Sequence, residues 1–354
     1  MKIKDIQVFS KNLKLTKPYT ISYKTISDVE NVFLIITLEN GMTGLGAANP
    51  DLEVVGESPK ETLKNCQSEF FQSFIGKDIR QFRSLIWQVH NKFPNKPGTQ
   101  ALWDIALHDA FGKYLDVPVV DIYGRQKLSL PTSVTIGIKD VEATVKEATE
   151  YHKLGFRTLK VKTGQNPEID IERVLKIHEK YKDVTIRVDA NQGYTKEELL
   201  KFYKATVAID IEVIEQPIKV GLENQLTDLD INIRKKLVAD ESLKNAKSAI
   251  QFAALPQLFG VYNIKLMKCG GLLGAFEIAT IAKAAGINLF WGCNDESIIS
   301  ITAALHAALA CPHTQYLDLD GSLDLAEDLV TGGFIMKDGL MSISEKPGFG
   351  YKIN

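Results

Sequence analysis

The segment TIRVDANQG at residues 185–193 decides the fold. It is a short apolar run that reaches a carboxylate, Asp189, and then passes into a turn. Comparable runs end at Glu215, Asp240 and Lys265. The spacing of roughly 25 residues is the length of one strand–loop–helix–loop unit. The pattern therefore predicts repeated βα units with parallel strands.

The same pattern continues on both sides of this region. Further apolar runs end in polar residues, and amphipathic helical segments separate them, in LKVKTG (159–164), INLFWGCNDES (287–297) and QYLDLDG (315–321). Seven or eight such units in a row favour a closed α/β barrel over an open doubly wound sheet. The first strand is not followed by a G-x-G-x-x-G motif, which weakens a dinucleotide-binding interpretation.

The first 120 or so residues have a mixed character. NVFLIITLENGMTGLGAANP (31–50) predicts a strand, a turn and a second strand. PGTQALWDIALHDAFGKYL (97–115) predicts a helix, because apolar residues recur at helical spacing: Ala101, Ile105, Ala106, Ala110 and Leu115. No linker rich in glycine or proline follows, so we expect the two parts of the chain to pack tightly.

Composition excludes several classes of protein. With a net charge of −2, the chain has no excess of positive charge that would attract nucleic acid or an anionic membrane, so neither is expected as a partner. The N-terminus lacks the apolar core of a signal peptide, and no apolar run is long enough to span a bilayer. The cysteines show no zinc-type spacing and are interpreted as reduced thiols of a cytoplasmic protein: Cys66, Cys269, Cys293 and Cys311.

Three carboxylates lie at the ends of three successive predicted strands: Asp189, Glu215 and Asp240. In a barrel these ends meet at one rim, where the chemistry of such folds takes place. Three anions held together require a cation, and ligation by oxygen alone favours Mg²⁺. The alternative for each acid is a helix cap or a solvated side chain.

Lysines accompany these acids at the strand ends. Lys160 and Lys162 share one face of their strand, and Lys265 is expected to point in from the other side, from a strand three units further round. The like charges and a nearby Mg²⁺ would lower a lysine pKa towards the range of a general base. The alternative is a salt bridge to a neighbouring acid. Lys268, in the following loop, is expected to be exposed, and Gly270 begins a predicted Gly-Gly turn.

The ordered motifs resemble the muconate-lactonizing-enzyme subgroup of the enolase superfamily over nearly the whole chain. They are K-x-K (160–162), D-A-N (189–191), E-Q-P (215–217), A-D-E-S (239–242) and N-I-K-x-x-K-x-G-G (263–271), and KPGFG (346–350) also fits. The resemblance implies a modified TIM (β/α)7β barrel with an N-terminal α+β capping domain. The implied boundaries are a capping domain over 1–125 with a mobile specificity loop at about 16–30, a joining segment at about 325–354, and a barrel over 126–324.

The roles that the resemblance implies fall on the residues already identified. The three carboxylates match the ligands of one Mg²⁺ per subunit. Lys162 and Lys265 match bases on opposite faces of the substrate, and Lys160 matches the lysine that contacts its carboxylate. Asn191 would at most support the metal ligands without binding the metal itself. The shared chemistry is proton removal α to a carboxylate, through an enediolate that a metal and an adjacent cation stabilise.

The D-x-D pattern of Asp318 and Asp320 distinguishes among members of the subgroup. It resembles the mark of dipeptide epimerases, in which the pair binds the free α-amino group of the substrate, although a helix cap or solvated turn is an alternative. Thr135, Cys293 and Asp295 match positions lining the same pocket. Cys293 has no basic neighbour in sequence and is interpreted as a pocket wall rather than a nucleophile.

The resemblance implies a dipeptide epimerase of L-Ala-L-X substrates, such as L-Ala-L-Glu, with a place in cell-wall peptide metabolism and a possible homo-oligomeric state. Lys24 lies where relatives carry a basic residue for the glutamate side chain, or it is a solvated loop charge. Lysine in place of arginine gives up bidentate geometry. Asp295 adds an acid that favours a neutral or cationic second residue of the dipeptide.

Three other functions remain open from the sequence. One is an o-succinylbenzoate synthase or a muconate-type cycloisomerase of the same subgroup, which would leave Asp318 and Asp320 without a role. Another is a metal-independent barrel lyase that forms a Schiff base through one of the lysines. The last is a barrel that binds a ligand without catalysis, which would not need lysines on two sides.

Overall fold

The computed structural model describes residues 1–20 and 25–354, so Lys24 lies outside the described residues. The chain begins with an antiparallel sheet in the order β1-β2-β3, and helices follow it. These elements are β1 (Ile3–Thr20), β2 (Thr25–Leu38), β3 (Thr43–Ala48), α1 (Leu52–Val55), α2 (Pro59–Cys66), α3 (Phe82–Lys92), α4 (Pro97–Leu115) and α5 (Val119–Tyr123). Short 3-10 turns lie at Glu69–Phe74 and Ile79–Gln81.

Both local predictions for this part are confirmed. β2 and β3 form the predicted antiparallel pair, in register from Val32–Ala48 to Thr37–Thr43. Helix α4 spans the predicted range, but it is buried on almost every side, and Leu115 at its end is 45% exposed. The reason is that α4 packs on β3, β2 and α3 and also on elements of the barrel, so it has no solvent face to separate from a core face.

The barrel begins after the short strand β4 (Ser129–Pro131). Its elements alternate along the chain as expected for βα units. They are β5 (Val134–Ile136), α6 (Val141–Lys153), β6 (Thr158–Lys162), α7 (Pro167–Lys180), β7 (Thr185–Asp189), α8 (Lys196–Thr206), β8 (Ile214–Glu215), α9 (Ile231–Arg234), β9 (Leu237–Ala239), α10 (Ala246–Ala253), β10 (Val261–Ile264), α11 (Leu266–Cys269), α12 (Leu272–Ala285), β11 (Asn288–Trp291), α13 (Ile298–Leu309) and β12 (Thr314–Leu317).

The parallel sheet has eight strands in the order β12-β11-β10-β9-β8-β7-β6-β5. A bridge between Thr132 and Leu317 and a hydrogen bond from Ser133 N to Leu317 O (2.9 Å) join its two end strands and close the ring. The predicted barrel with an N-terminal cap is confirmed. Lys265 was expected three strands away from the strand of Lys160 and Lys162, which is wrong. Its strand β10 is four strands from β6, and this is half-way round a ring of eight strands.

An apolar floor closes the inside of the barrel below the rim. Val213, Val238, Val261 and Phe290 form a separate buried cluster, with Tyr316 packed against it. Because strand side chains alternate, the next inward positions up β8 and β9 are those of Glu215 and Asp240. The charged residues at the rim therefore rest on an apolar base.

The chain ends in short strands that return to the first part of the molecule. These strands are β13 (Val330–Gly332), β14 (Phe334–Lys337), β15 (Leu340–Ile343) and β16 (Tyr351–Ile353). β13 pairs with β16, and β14, β15 and β4 form one sheet. The segment just before them hydrogen-bonds to β1, through Thr16 N to Asp324 O (2.7 Å) and Ala326 N to Lys14 O (2.8 Å). The domain boundaries stay a prediction.

The predicted tight packing between the two parts is confirmed at the N-terminus of α12. Asp104 on α4 accepts hydrogen bonds from Leu272 N (2.8 Å) and Leu273 N (3.1 Å). A carboxylate at this position satisfies helix donors that have no partner within the helix. No helix among the described residues has the length and apolar character needed to cross a membrane.

Candidate active site

The three predicted metal ligands lie side by side at the rim. Asp189 and Glu215 end β7 and β8, and Asp240 follows β9; all three side chains are buried. Three residues just after these ligands have positive φ although they are not glycine: Asn191 at 41°, Gln192 at 69° and Gln216 at 31°. Such strained backbone persists only where its surroundings hold it. Here it turns the chain away immediately behind the ligands.

Lys160 occupies the centre of the site. Its Nζ lies 3.1 Å from Asp189 Oδ2, 2.8 Å from Glu215 Oε2 and 2.7 Å from Asp318 Oδ2. One ammonium group thus contacts two of the predicted metal ligands and one aspartate of the D-x-D pair. Burial opposes its charge, but Asp318, Glu215 and Asp189 outweigh that effect and hold the pKa of Lys160 above its ordinary value.

The two predicted bases stand on opposite sides of the rim. Lys162 Nζ lies 2.7 Å from Asp189 Oδ2 and 2.8 Å from Asn191 Oδ1. Lys265, directly after β10, lies 3.0 Å from Asp240 Oδ2. Both side chains retain some exposure, 22% and 14%, whereas Lys160 has 4%. The two outer lysines therefore remain accessible from the mouth of the barrel.

The pKa of Lys265 lies above its ordinary value, and its ammonium group forms a salt bridge with Asp240. Burial favours the neutral amine there, but Asp240 and Glu215 outweigh both burial and the neighbouring Lys160, and they raise the pKa of Lys265. A salt bridge to a neighbouring acid is the alternative that the sequence left open for these lysines, and a lowered pKa was expected only beside a bound Mg²⁺. A neutral base at this position requires those carboxylates to be compensated by another cation.

Lys268 is buried, and the expectation that it is exposed is wrong. Its Nζ lies 2.5 Å from Asp240 Oδ1, 2.6 Å from Asp240 O and 3.0 Å from Asn263 O. The reason is that residues 266–269 form a helical turn, α11, instead of a loop, and α11 packs under α4. The predicted Gly-Gly turn is present, with φ of 81° at Gly270 and 99° at Gly271.

The D-x-D pair is anchored to the first barrel strand. Asp318 Oδ1 accepts from Ser133 Oγ (2.6 Å), and Asp320 Oδ2 accepts from Thr135 N (2.8 Å). Both carboxylates are buried at the same end of the barrel as Lys160. Burial, together with the charge of Asp318, raises the pKa of Asp320. Asp320 is therefore a buried acid that would attract a cationic group, whereas Asp318 is already paired with Lys160.

Two of the remaining predicted positions, Thr135 and Cys293, contact this pair. Thr135 lies on β5, and Cys293 Sγ contacts Asp318 O (3.2 Å) and Gly321 N (3.4 Å). Burial raises the pKa of Cys293 well above its ordinary value, which agrees with a wall rather than a nucleophile. Asp295 is half-buried in the loop after β11, where its backbone O accepts from Asn49 Nδ2 (2.7 Å) of the N-terminal part.

Sequence reasoning missed two polar residues that hold the ligands in place. Asn263 Nδ2 donates to Glu215 Oε1 (2.6 Å). Gln216 Oε1 accepts from Asp240 N (3.0 Å) and so ties the second ligand strand to the third. Both residues stand inside motifs already quoted, N-I-K and E-Q-P. The alternation of inward positions gives a signal for Asn263, two residues before Lys265, but none for Gln216, which directly follows the inward Glu215.

The donor set fits a hard divalent cation. In the described part of the chain, no three or more His, Cys, Asp and Glu side chains form a ready-made metal cage, because lysines hold the carboxylate oxygens. However, Glu215 Oε2 is buried without a well-aligned hydrogen bond although Lys160 Nζ is 2.8 Å away, and Glu241 Oε2 has none either. Buried carboxylate oxygens of this kind are oxygen ligands suited to Mg²⁺.

A closed parallel barrel with acids and lysines at its rim and an N-terminal cap defines an enzyme of the enolase superfamily type. Family models confirm this class: "Enolase C-terminal domain-like" matches residues 143–354, and "Mandelate racemase / muconate lactonizing enzyme, N-terminal domain" matches residues 3–124. The chain belongs to this family.

Individual relatives are similar over their full length. An L-Lys-D/L-Arg epimerase of Desulforapulum autotrophicum is 48% identical, covering 99% of each chain. An L-Ala-D/L-Glu epimerase of Clostridium acetobutylicum is 30% identical, covering 99% of this chain and 98% of the relative. A crystal structure of a Methylococcus capsulatus dipeptide epimerase with Mg and L-Arg-D-Lys superimposes with a TM-score of 0.97 at 47% identity, covering 99% of each chain.

These findings confirm the resemblance to dipeptide epimerases and the predicted enzyme class, an isomerase of the racemase and epimerase type. The predicted Mg²⁺ agrees with the metal in the related crystal structure.

Proposed function

We propose that this protein is a Mg²⁺-dependent dipeptide epimerase that inverts the α-carbon of the C-terminal residue, with a preference for dipeptides carrying cationic side chains. The observation that carries the proposal is the position of Lys162 and Lys265, half a barrel apart, with the carboxylates of Asp189, Glu215 and Asp240 between them. Inversion requires a base that removes the proton from one face of the α-carbon and an acid that returns a proton to the opposite face.

The roles of the residues follow from this arrangement. Lys162 and Lys265 exchange the α-proton, one from each face. Lys160, between the ligands and Asp318, is placed to contact the substrate carboxylate as charge develops on it. A bound Mg²⁺ on the three carboxylates would stabilise the enediolate and would offset the anionic field that keeps Lys265 protonated.

Recognition of the free α-ammonium group is assigned to Asp318 and Asp320. Both are buried acids, and each is held by a hydrogen bond from β5. The burial of Asp320 argues against a cycloisomerase or an o-succinylbenzoate synthase, because the substrates of such enzymes would offer this carboxylate no ammonium group to bind. Turnover of a muconate or of an o-succinylbenzoate precursor, undiminished in an Asp318→Asn variant, would favour those functions.

The preference for cationic side chains rests on Asp295 and on the relatives. Asp295 adds a half-buried acid in the loop after β11, and Asn49 and Asn294 fix the backbone of that loop through hydrogen bonds of 2.7 and 3.0 Å. The two relatives named for L-Lys-D/L-Arg dipeptides are 48% and 47% identical, against 30% for the L-Ala-D/L-Glu epimerase. We therefore favour a cationic dipeptide over the L-Ala-L-Glu that the motifs suggested.

A panel of dipeptides incubated in D₂O tests the proposal. L-Lys-L-Arg and L-Arg-L-Lys should incorporate α-deuterium at the C-terminal residue faster than L-Ala-L-Glu or L-Leu-L-Tyr, and EDTA should stop the exchange. Failure of every dipeptide to exchange would refute the epimerase assignment. Trapping of a covalent adduct by borohydride, with activity unaffected by EDTA, would instead support the Schiff-base lyase.

The role of Asp295 has its own test. Asp295→Asn should lower kcat/KM for the cationic dipeptides by about three- to tenfold, the value of one partly exposed ion pair, and should leave neutral dipeptides unchanged. Asp338→Asn, at an exposed turn with φ of 51° that asparagine tolerates, is the matched control. An equal loss for all dipeptides would contradict a specificity role.

A further inference from the structure

The barrel closes through side chains at the seam between β12 and β5. The backbone contributes the bridge of Thr132 with Leu317 and the bond from Ser133 N. Thr132 Oγ1 accepts from Leu319 N (2.9 Å), and Ser133 Oγ lies 3.3 Å from Leu317 O. The D-x-D pair lies directly at this seam, so the geometry of the seam determines where its carboxylates point.

Each oxygen of Asp318 has a different partner. Oδ2 faces Lys160, and Oδ1 accepts from Ser133 Oγ at 2.6 Å. Ser133 is fully buried, so water does not compete for its hydroxyl. Its single hydrogen goes to the carboxylate at 2.6 Å rather than to the carbonyl at 3.3 Å, because the charged acceptor forms the shorter and stronger bond.

The hydroxyl of Ser133 is itself oriented by a buried arginine. Arg187 Nη1 lies 3.2 Å from Ser133 Oγ and 2.6 Å from Leu317 O, the residue before Asp318. Because the guanidinium has no acceptor atom, its Nη1 donates to a lone pair of Ser133 Oγ, and the hydroxyl hydrogen is left to point towards Asp318. Arg187 thus reaches from β7 across β6 to both strands of the seam.

Several contacts fix Arg187 in turn. Its Nε donates to Glu212 Oε2 (2.6 Å), and its guanidinium carbon lies 5.2 Å from the ring centroid of Phe290 and 5.1 Å from that of Tyr316. A buried arginine with an ion pair, a carbonyl and two aromatic faces has one available orientation. A rigid chain therefore leads from Glu212 through Arg187 and Ser133 to Asp318.

We propose that Ser133 and Arg187 are positioning residues that hold Asp318 for the α-ammonium group of the substrate, and so make the enzyme select dipeptides with a free amino terminus. The inference rests on the proposed function, because it assigns the ammonium group to Asp318. Neither residue reaches the α-carbon chemistry, which lies at Lys162 and Lys265. Loss of the chain therefore weakens the binding of the amino terminus and leaves proton transfer intact.

The test compares a free dipeptide with its N-acetyl derivative, which lacks the ammonium group. In Ser133→Ala, KM for L-Lys-L-Arg should rise by about ten- to hundredfold, as expected for the loss of a hydrogen bond to a charged group, with kcat within about threefold. Exchange of N-acetyl-L-Lys-L-Arg should be unchanged, so the ratio of kcat/KM between the two substrates falls. Ser133→Thr, which keeps the hydroxyl, should restore that ratio.

Two further variants separate positioning from stability. Arg187→Met should reproduce the loss of selectivity, and Thr206→Val removes a buried hydroxyl on α8, away from the rim, and should leave the ratio unchanged. A fall in kcat with unchanged KM in Ser133→Ala, or an equal loss for both substrates, would overturn the proposal. The wild-type protein reports separately on the proposed function, which fails if it exchanges no free dipeptide.

Discussion

The ammonium group of Lys268 compensates a buried carboxylate that also belongs to the proposed metal site. It contacts both Asp240 Oδ1 and Asp240 O within 2.6 Å, and its side chain is 4% exposed. Removing one partner of a buried pair leaves the other charge uncompensated, at a cost of about 3–5 kcal/mol. A divalent ion bound at Asp240 would supply part of the missing positive charge.

Lys268→Met should therefore lower the free energy of unfolding without Mg²⁺ by about 3–5 kcal/mol. Added Mg²⁺ should raise the Tm of this variant by more than it raises that of the wild type, because the ion binds only the folded state and relieves the unpaired carboxylate. Thermal unfolding with and without Mg²⁺ measures both effects. Lys247→Met, at an exposed position, is the control. Equal stabilisation by Mg²⁺ in all three proteins would refute this role of Lys268.

Glu296 is a buried acid that the proposed chemistry does not use. Burial raises the pKa of Glu296 to about 7, although Asn294 N donates to its Oε1 at 2.8 Å. The folded state thus prefers the protonated acid, and the unfolded state ionises near the ordinary value of 4.5. The stability linked to this proton is fully present below pH 4.5 and is lost as the pH rises through about 7.

Denaturant unfolding at pH 5 and pH 8 measures this linkage. The free energy of unfolding of the wild type should fall by about 3 kcal/mol more over this range than that of Glu296→Gln. The glutamine keeps an acceptor for Asn294 N and carries no charge at either pH. Parallel pH profiles for the two proteins would contradict the raised pKa.

The N-terminus of α12 is the element that couples the two parts of the molecule. Asp104 on α4 caps this helix, and the helix follows directly on α11 and Lys265. Gly270 and Gly271, between α11 and α12, have positive φ, and side chains at these positions would collide with Gln100 and Asp104. The position of Lys265, one of the two proposed bases, therefore depends on a carboxylate from the N-terminal part.

Asp104→Ala should cost about 1–2 kcal/mol in stability, as for the loss of a helix cap, and should also lower kcat, because the turn that carries Lys265 loses its anchor. Asp140→Ala removes a comparable cap from α6, where Asp140 accepts from Ala143 N (2.7 Å), and should lower stability alone. The comparison uses kcat at saturating dipeptide and Mg²⁺. Equal kcat in the two variants would show that Asp104 is merely a cap.

In the whole molecule, the rim of the barrel was predictable from the sequence because parallel strands end on the same side. Runs that end at Asp189, Glu215, Asp240 and Lys265 placed these residues together without any further information. The burial of Lys268 was not predictable in this way, since it depends on how α4 packs over α11. The contacts at the seam were not predictable either, because Arg187 joins strands that are distant in sequence.

The opposed lysines are the central claim, and exchange from each epimer in D₂O tests them most directly. Lys162→Arg and Lys265→Arg keep the positive charge beside the carboxylates but remove the base, because arginine stays protonated. The wild type should exchange the α-proton of both the L-L and the L-D dipeptide. Each variant should keep exchange from one epimer and lose it from the other, with opposite preferences. Loss of exchange from the same epimer in both variants would contradict the account.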